Sequence, residues 1–248
     1  MEPGAVRLSV VLPAYREAPR IATTVERVRA AVGALDAEVI VVDDGSQDAT
    51  AERAAAAGAR VVAHATNQGK GAAVRTGALA ARGRVVAFTD ADLSYPPEQL
   101  IELLARVEDG WDVVVGSRAH DATETVVAAG AVRTLSTHAF NLLTRLALGS
   151  RHRDTQCGLK AFNADAARAL FGLARIDGFA FDVELLHIAA MHRLSVLEVP
   201  VRVSNSATST VRLGRDSYRM VRDVLRVRQW SRAGAYWVAH EEARQPVA

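Results

Sequence analysis

The chain has 248 residues, half of them hydrophobic, which is enough apolar surface for one large α/β domain or two small ones. Its 30 basic and 28 acidic residues leave a formal charge of +2, which excludes a chain-wide attraction to polyanions, and we expect no nucleic-acid partner. The single cysteine, Cys157, excludes an intramolecular disulfide, and no apolar run reaches the ~18 to 20 residues of a membrane span. Because the first residues also lack the order of a signal peptide, we expect a cytoplasmic protein.

Strand and helix patterns alternate through the first half of the chain. Short apolar runs predict five strands, at 8–12, 37–42, 59–63, 85–88 and 112–116. The stretches between them have helical spacing or are rich in alanine, which favours βαβ units and an α/β fold with a mostly parallel, Rossmann-like central sheet flanked by helices. The loops after parallel strands meet at one edge of such a sheet, where open α/β sheets bind ligands.

The alternation stops after Ser117. We expect a loop at 119–131, a helix at 131–148 and a polar connector at 151–160. Two helices, at 165–171 and 181–191, and a strand at 195–203 complete a predicted domain that spans residues 1–210. Residues 211–248 are predicted to form a basic amphipathic helix and a tail.

Two aspartates follow the predicted strand at 85–88. In an extended backbone Asp90 and Asp92 point the same way, so both carboxylates can bind one divalent cation that carries a diphosphate. The simpler alternative is that one aspartate caps the next helix and the other is solvated. The rest of the chain has to decide between these two interpretations.

Two further loops lie at the same predicted sheet edge. Asp43 and Asp44 follow the strand at 37–42, where a nucleotide contact and a turn with a helix cap are both compatible with the spacing. The turn at 67–71 carries Lys70 between two glycines, but it matches neither the P-loop nor the dinucleotide-binding pattern. Lys70 either meets a diphosphate or lies on a surface turn.

Arginines recur after the last central strand. Their planar guanidinium groups suit phosphate oxygens, and the cluster consists of Arg118, Arg133, Arg151 and Arg153. Thiol catalysis by Cys157 with His152 is disfavoured, and the scattered histidines have no zinc-ligand spacing.

The C-terminal segment has a basic face and an apolar face. The basic face carries Arg215, Arg219, Arg222 and Arg226, and the apolar face carries Tyr218, Val221, Val224 and Leu225. Such a helix lies on an anionic membrane, with Trp230, Tyr236 and Trp237 at the level of the interface, or it docks its apolar face on the domain. The sequence leaves both arrangements open.

Taken in order, six segments resemble the inverting family 2 glycosyltransferases. They are Val41 to Ser46 (Val-Val-Asp-Asp-Gly-Ser), Asn67 to Gly71 (Asn-Gln-Gly-Lys-Gly), Asp90 to Leu93 (Asp-Ala-Asp-Leu), Gly116 to Arg118 (Gly-Ser-Arg), Arg153 to Lys160 (Arg-Asp-Thr-Gln-Cys-Gly-Leu-Lys) and Phe181 to Leu186 (Phe-Asp-Val-Glu-Leu-Leu). The last two are similar to segments of the branch that acts on polyprenyl phosphates, which includes the dolichyl-phosphate β-glucosyltransferases and mannose synthases.

The resemblance implies a GT-A fold with a nucleotide-sugar donor, Mg²⁺ or Mn²⁺, and a polyprenyl-phosphate acceptor. It places the donor nucleotide beside Pro13, Tyr15, Glu17, Asp43, Asp44 and Lys70, and it places metal and donor on Asp90, Ala91 and Asp92. The sugar would lie near Asp154, Gln156 and the segment 181–184. Arg118, Arg133 and Arg153 would meet the acceptor phosphate, so that Asp90, Asp92, Arg118 and Arg133 form the catalytic group.

Two segments depart from the family pattern. Arg16 stands where family members usually have asparagine, which leaves the base contact open, and residues 206–209 replace a Gly-Ser-Lys-like element near the acceptor. The resemblance further implies peripheral association with the cytoplasmic face of a membrane and a possible membrane-protein partner.

The expected reaction transfers glucose from UDP-glucose to a polyprenyl or dolichyl phosphate and gives a β-linked product. A phosphate monoester has a second pKa near ~6, so the acceptor is already ionised at neutral pH and needs no general base. The alternatives are a mannosyl or other hexosyl synthase that uses GDP-mannose or another UDP-sugar, and a non-catalytic nucleotide-sugar-binding subunit. A sugar-nucleotide pyrophosphorylase is disfavoured, because the glycine-rich N-terminal signature of those enzymes is missing.

Overall fold

The computed structural model describes residues 6–127, 131–204 and 215–237, with side chains throughout except at 131–136, 138, 215 and 216. A seven-stranded sheet in the order β3-β2-β1-β4-β7-β5-β8 forms its centre. The strands of this sheet are β1 (Leu8–Ala14), β2 (Ala37–Asp43), β3 (Arg60–Ala63), β4 (Val85–Phe88), β5 (Val113–Ser117), β7 (Lys160–Asn163) and β8 (Val196–Pro200). The predicted α/β fold with a mostly parallel central sheet is confirmed.

Helices cover both faces of the sheet. They are α1 (Ile21–Val32), α2 (Thr50–Ala56), α3 (Lys70–Ala80), α4 (Gln99–Glu108), α5 (Ala131–Leu148), α6 (Ala164–Leu173), α7 (Phe181–Met191) and α8 (Arg215–Arg232). In α4, for example, Leu100, Leu103, Leu104 and Val107 recur at helical spacing, and all four are buried. Because both faces are covered, strands such as β4 and β5 are buried along their whole length, which explains their continuous apolar runs.

The strand β7 was not predicted. It runs antiparallel between β4 and β5 and pairs with both, so the supposed connector at 151–160 ends inside the sheet. Most of that connector is buried, and Lys160 has no exposed surface. The sequence predicted a polar connector and no strand here, because four residues with a lysine and an asparagine at their ends do not show the pattern of a central strand.

A second, two-stranded sheet lies beside the first. The predicted loop at 119–131 contains β6 (Glu124–Val127), which pairs in parallel with β9 (Arg202–Ser204). The predicted single strand at 195–203 is therefore two strands, and β8 and β9 belong to different sheets. All four residues of β6 are exposed, so no burial pattern marked this strand in the sequence.

The C-terminal helix α8 docks on the domain. Val224 and Val227 are fully buried, and Met220 joins them against residues of α5 and α7. Tyr236, which lies beyond α8, is also fully buried, so at this residue the structure shows docking on the domain, one of the two arrangements that the sequence left open. The predicted domain boundary at residue 210 lies outside the described residues. Within the described ranges, no helix is long and apolar enough to cross a membrane.

Gly77 tests how closely α3 approaches the sheet. A Cβ atom built there would lie 2.3 Å from Cγ1 of Val11 and 2.9 Å from Cγ2 of Val42, so we expect Gly77→Ala to lower the free energy of unfolding by about 1–3 kcal/mol. Gly172 in α6 has open space around its Cβ position, so Gly172→Ala should raise it by about 0.5–1 kcal/mol. Urea unfolding of both variants checks the pair, and equal effects would contradict this account of the packing.

Candidate active site

The two aspartates predicted as metal ligands lie just beyond β4 at the carboxyl edge of the sheet. The side chain of Asp90 is 29% exposed, and its Oδ1 lies 2.6 Å from Nζ of Lys70. Asp92 is exposed, and its Oδ1 accepts a hydrogen bond from the backbone N–H of Ser94. Between them Ala91 is buried, and its carbonyl accepts a hydrogen bond from the Thr24 hydroxyl, which fixes the turn on α1. Both aspartates therefore lie in the turn after β4 at the carboxyl edge of the sheet, and both side chains keep exposed surface.

These two carboxylates fit a magnesium or manganese ion that is shared with a substrate. In the part of the chain that the structure describes, no cluster of three or more acidic, histidine or cysteine side chains has metal-binding geometry. Mg²⁺ is commonly held by one or two carboxylates together with substrate phosphates and water, rather than by a complete protein cage. Asp90 and Asp92 therefore suit an ion that arrives with a diphosphate.

Acidic side chains are concentrated around this position. Burial raises the pKa of Glu17, and the nearby charges of Asp92, Asp48 and Asp90 raise it further against the opposing effect of Arg20. Such a concentration of negative charge attracts a divalent cation and disfavours a diphosphate that arrives without one.

Asp44 organises the loop that carries Lys70. It is buried, and its carboxylate accepts hydrogen bonds from the side chain of Asn67 at 2.8 Å and from the backbone N–H groups of Gln68 at 2.9 Å and Gly69 at 2.8 Å. His64 Nδ1 lies 2.7 Å from the same carboxylate. Asp44 therefore acts on the predicted nucleotide site by holding this loop, an arrangement that sequence spacing alone did not reveal.

The neighbouring positions of the predicted donor site lie at the ends of β1 and β2. Asp43 is buried and accepts a hydrogen bond from the N–H of Ser46, while Tyr15 is 41% exposed beside the half-buried Pro13. Arg16 has a φ of 57°, in the left-handed region where asparagine is favoured over arginine. The family's preference for asparagine at this position thus has a backbone explanation.

Burial shapes the charge of Lys70. Burial by itself lowers the pKa of this lysine, but the charges of Asp90, Asp182 and Asp92 outweigh it, so the net pKa is raised and the ammonium group stays charged. Gly69 precedes it with a φ of 114°, a conformation that only glycine adopts readily. The loop therefore places a positively charged lysine beside Asp90, one of the two predicted metal ligands.

Arg118 and Asp154 form a bidentate ion pair. Nε and Nη2 of Arg118 lie 2.6 and 2.8 Å from the two oxygens of Asp154, which also accepts hydrogen bonds from the backbone of Arg118 and Gln156. Asp154 is 1% exposed, and although burial raises its pKa, these contacts lower it below the usual range. Asp154, predicted near the sugar, is thus fully engaged with Arg118.

The other predicted acceptor arginines are placed differently. Arg153 is exposed and pairs with Asp121 at 3.2 Å on the surface. Arg133 belongs to α5, but its side chain lies outside the described residues. The structure therefore places Arg118 at the sheet edge and Arg153 on the surface, and it does not describe the side chain of Arg133.

A buried ion pair beneath the site was missed by the sequence analysis. Lys160 donates to the Asp182 carboxylate at 2.7 Å and to the carbonyl of Cys157 at 2.6 Å, and both charged side chains are buried. Burial raises the pKa of Asp182, while the charges of Lys160 and Lys70 lower it. Both residues lie in motifs that the sequence shows, Lys160 at the end of the 153–160 segment and Asp182 near the start of the 181–186 segment. Their contact could not be read from the sequence, because it depends on the position of β7.

Cys157 is not an activated nucleophile. The thiol is buried, and its burial raises the pKa to about 11, so at neutral pH it is protonated. This agrees with the prediction that thiol catalysis is disfavoured.

The family model described as "Glycosyl transferase family 2" matches residues 9–171. Dolichyl-phosphate beta-glucosyltransferase of Drosophila melanogaster is 38% identical over 218 residues, which are 80% of this chain and 67% of that protein. The human enzyme of the same name is 33% identical over 215 residues, or 79% of this chain and 66% of that protein. The protein of that name from Saccharomyces cerevisiae is 32% identical over 256 residues, covering 92% and 76%.

Solved structures with the same fold include glucosyl-3-phosphoglycerate synthase from Mycobacterium tuberculosis. Its complex with Mn²⁺, UDP-glucose and phosphoglyceric acid aligns with a TM-score of 0.68 and 27% identity, over 92% of this chain and 80% of that one. Another crystal of the same enzyme contains Mg²⁺ and UDP, with a TM-score of 0.67 and 26% identity over 92% and 79%.

Gly158 tests the close approach of the 151–160 segment to Asp90. A Cβ atom at Gly158 would lie 2.3 Å from Oδ2 of Asp90, so the alanine variant must displace this carboxylate. We expect Gly158→Ala to weaken Mn²⁺ binding in the presence of UDP about 10-fold or more, as changes beside metal ligands commonly do. Calorimetric titration measures this Mn²⁺ affinity, with Gly172→Ala as the control. An unchanged affinity in the Gly158→Ala variant would contradict the assignment of Asp90 as a metal ligand.

Proposed function

The chain belongs to glycosyl transferase family 2, and from this premise we propose that it moves a hexose, glucose in the first instance, from a UDP-sugar to a polyprenyl or dolichyl phosphate. The product is a lipid-phosphate sugar with a β linkage, formed by inversion at the anomeric carbon. The observation that carries the proposal is the ion pair between Asp90 and the lysine of the 67–71 loop, in the turn that also contains Asp92, at one sheet edge. Carboxylates for a metal and a cation for phosphate are what a nucleoside-diphosphate leaving group requires.

The related proteins support the choice of substrates. Several curated relatives at 32–38% identity are named dolichyl-phosphate beta-glucosyltransferases, although the matched region is about two thirds of the fly and human proteins. The structurally similar mycobacterial enzyme was crystallised with Mn²⁺ and UDP-glucose. We therefore propose UDP-glucose as donor, Mg²⁺ or Mn²⁺ as cofactor, and a polyprenyl phosphate as acceptor.

In this proposal the donor lies along the carboxyl ends of β1, β2 and β4. Asp90 and Asp92 hold the divalent ion, which when bound supplies positive charge for the departing nucleoside diphosphate. Lys70 stabilises the same diphosphate, and Asp44 keeps the lysine loop in place through the N–H groups of Gln68 and Gly69. Tyr15, Glu17 and Asp43 border the nucleotide.

The acceptor approaches from the side of Arg118. Two nitrogens of its guanidinium are occupied by Asp154, so the ion pair fixes the plane and leaves the remaining edge for an anionic oxygen. Arg133 and Arg153 are proposed to add positive charge for the acceptor phosphate. The acceptor is ionised at neutral pH, so this chemistry assigns no general base, and the protein's task is to bring two anions together in line.

We further propose that α8 lies at the surface of a membrane on its cytoplasmic face. Its inner side packs on the domain, whereas Tyr218, Val221 and Leu225 are exposed on the outside. Three exposed arginines, Arg219, Arg222 and Arg226, accompany them. Exposed apolar side chains next to arginines suit the interface of an anionic bilayer, where the lipid acceptor resides.

The donor and the metal site are tested together with purified protein, Mg²⁺ and a short polyprenyl phosphate. Labelled UDP-glucose and GDP-mannose are supplied in parallel, and label is counted in the organic phase. We expect label from UDP-glucose, and we expect Asp92→Ala to lower its transfer about 100-fold or more, since a metal ion supplies several kcal/mol of charge stabilisation.

The exposed Asp165 on α6 provides a matched control, and Asp165→Ala should retain transfer. Label from GDP-mannose alone would keep the mechanism and replace the sugar. Binding of a nucleotide sugar without transfer to lipid from either donor would contradict the proposed acceptor.

Arg118 is tested by exchange for lysine. Arg118→Lys keeps the positive charge but loses the planar, two-pronged contact with Asp154, so we expect turnover with lipid phosphate to fall about 10-fold or more. The dissociation constant for UDP with Mn²⁺ should stay within about twofold, because this arginine is assigned to the acceptor. Arg106→Lys on the exposed part of α4 is the control. Full turnover in the Arg118→Lys variant would contradict the assignment of Arg118 to the acceptor.

A further inference from the structure

The described residues after α8 contact the domain through Ala235 and Tyr236. Tyr236 is fully buried, and its hydroxyl donates a 2.6 Å hydrogen bond to Oε1 of Glu184 in α7. The Tyr236 carbonyl lies 2.8 Å from Nε2 of His192, and the neighbouring Ala235 carbonyl accepts a hydrogen bond from Arg175. Several independent contacts therefore hold this segment against the domain.

Glu184 connects that segment to a turn near the donor loop. It has no exposed surface, and its second oxygen, Oε2, accepts hydrogen bonds from the backbone N–H groups of Arg175 at 3.0 Å and Ile176 at 2.7 Å. Burial raises the pKa of Glu184, and these hydrogen bonds lower it. Because both oxygens are used inside the protein, Glu184 links the C-terminal segment to the 174–178 turn instead of facing a sugar.

The 174–178 turn lies directly against the loop that carries Lys70. The Asp177 carbonyl accepts a hydrogen bond from the N–H of Ala72 at 3.2 Å, and it would be 2.4 Å from a Cβ atom at Gly69. The Ile176 carbonyl would be 2.5 Å from a Cβ atom at Gly71. The absence of a side chain at both glycines permits this close packing, and the hydrogen bond between Ala72 and Asp177 connects the turn to the loop.

We propose that Tyr236 is a positioning residue for the donor site, acting through Glu184 and the 174–178 turn on the loop that holds Lys70. The chain of contact runs from the Tyr236 hydroxyl to Glu184, from Glu184 to the N–H groups of the turn, and from the turn to the glycines beside Lys70. The lysine then reaches Asp90 at 2.6 Å. The C-terminal segment is thus part of the donor site, although it touches no substrate.

The chemistry of the buried pair supports this role. Burial raises the pKa of Tyr236, and the hydrogen bond and charge of Glu184 raise it further, so the hydroxyl remains a donor. Removing that donor leaves a buried carboxylate oxygen without its partner, and the carboxylate then shifts towards other donors. The N–H groups of the turn share the same carboxylate, so they follow its movement.

The test compares the full-length protein with Tyr236→Phe, which keeps the ring and removes one hydroxyl. Tyr218→Phe is the matched control, because that hydroxyl lies on an exposed side chain of α8. Amide hydrogen exchange is followed in peptides covering 67–80, with peptides from α1 as an internal reference. The dissociation constant for UDP with Mn²⁺ is measured on the same samples.

We expect Tyr236→Phe to exchange at least about 5-fold faster in 67–80 than wild type, with little change in α1, and to bind UDP about 5-fold more weakly. The Tyr218 control should match wild type within about twofold in both measurements. Glu184→Met, which keeps about the size of the side chain and removes both accepting oxygens, should show the same pattern and serves as the second variant.

Three results would overturn the proposal. Unchanged exchange in 67–80 would break the chain of contact, and equal acceleration in α1 would mean only a global loss of stability. Faster exchange with unchanged UDP affinity would show that the loop moves without consequence for the donor. The inference rests on the proposed function for the role of Lys70, and the two can fail separately. Wild-type protein that binds no nucleotide would contradict the proposed function. The exchange experiment tests the coupling between Tyr236 and the loop by itself.

Discussion

Negative charge concentrated at one edge of the sheet is the constraint on which the site depends. The parallel strands end side by side, and their terminal carboxylates would repel one another without compensation. Asp44 is compensated by backbone and amide N–H groups, Asp90 by Lys70, and Asp154 by Arg118. Asp44 and Asp90 are both compensated by the 67–71 loop and Asp154 by Arg118, so balancing the charge also determines where this loop and this arginine lie.

The buried pair of Lys160 and Asp182 extends this compensation below the surface. A buried ion pair is weak support for stability by itself, because desolvation offsets much of its attraction. Here Lys160 also donates to the carbonyl of Cys157, which anchors the connector whose Gly158 touches Asp90. The pair therefore helps to specify the position of Asp90, a proposed metal ligand, and the antiparallel strand β7 supplies its lysine.

The two sides of the proposed reaction are supported by different parts of the chain. The donor side rests on β1, β2, α3 and the 174–178 turn, which Glu184 and Tyr236 connect to the C-terminal segment. The acceptor side rests on Arg118 and the 151–160 segment. The two proposals thus give the C-terminal part of the chain two roles: α8 is proposed to lie on a membrane, and Tyr236 beyond it is proposed to support the donor loop.

The amino-acid sequence by itself determined the α/β class, the five parallel strands and the acidic motifs at their ends, because continuous apolar runs and helical spacing are local patterns. It also led to the family through motifs whose order is visible without a fold. Only the tertiary structure decided that β7 runs antiparallel within the sheet and that Tyr236 is buried. It also decided that Asp44 holds the 67–71 loop and that Asp154 holds Arg118. These features depend on contacts between residues far apart in the chain, 78 positions for Val85 with Asn163 in the β4–β7 pair and 52 for Tyr236 with Glu184, and such pairing leaves no periodic signal along the chain.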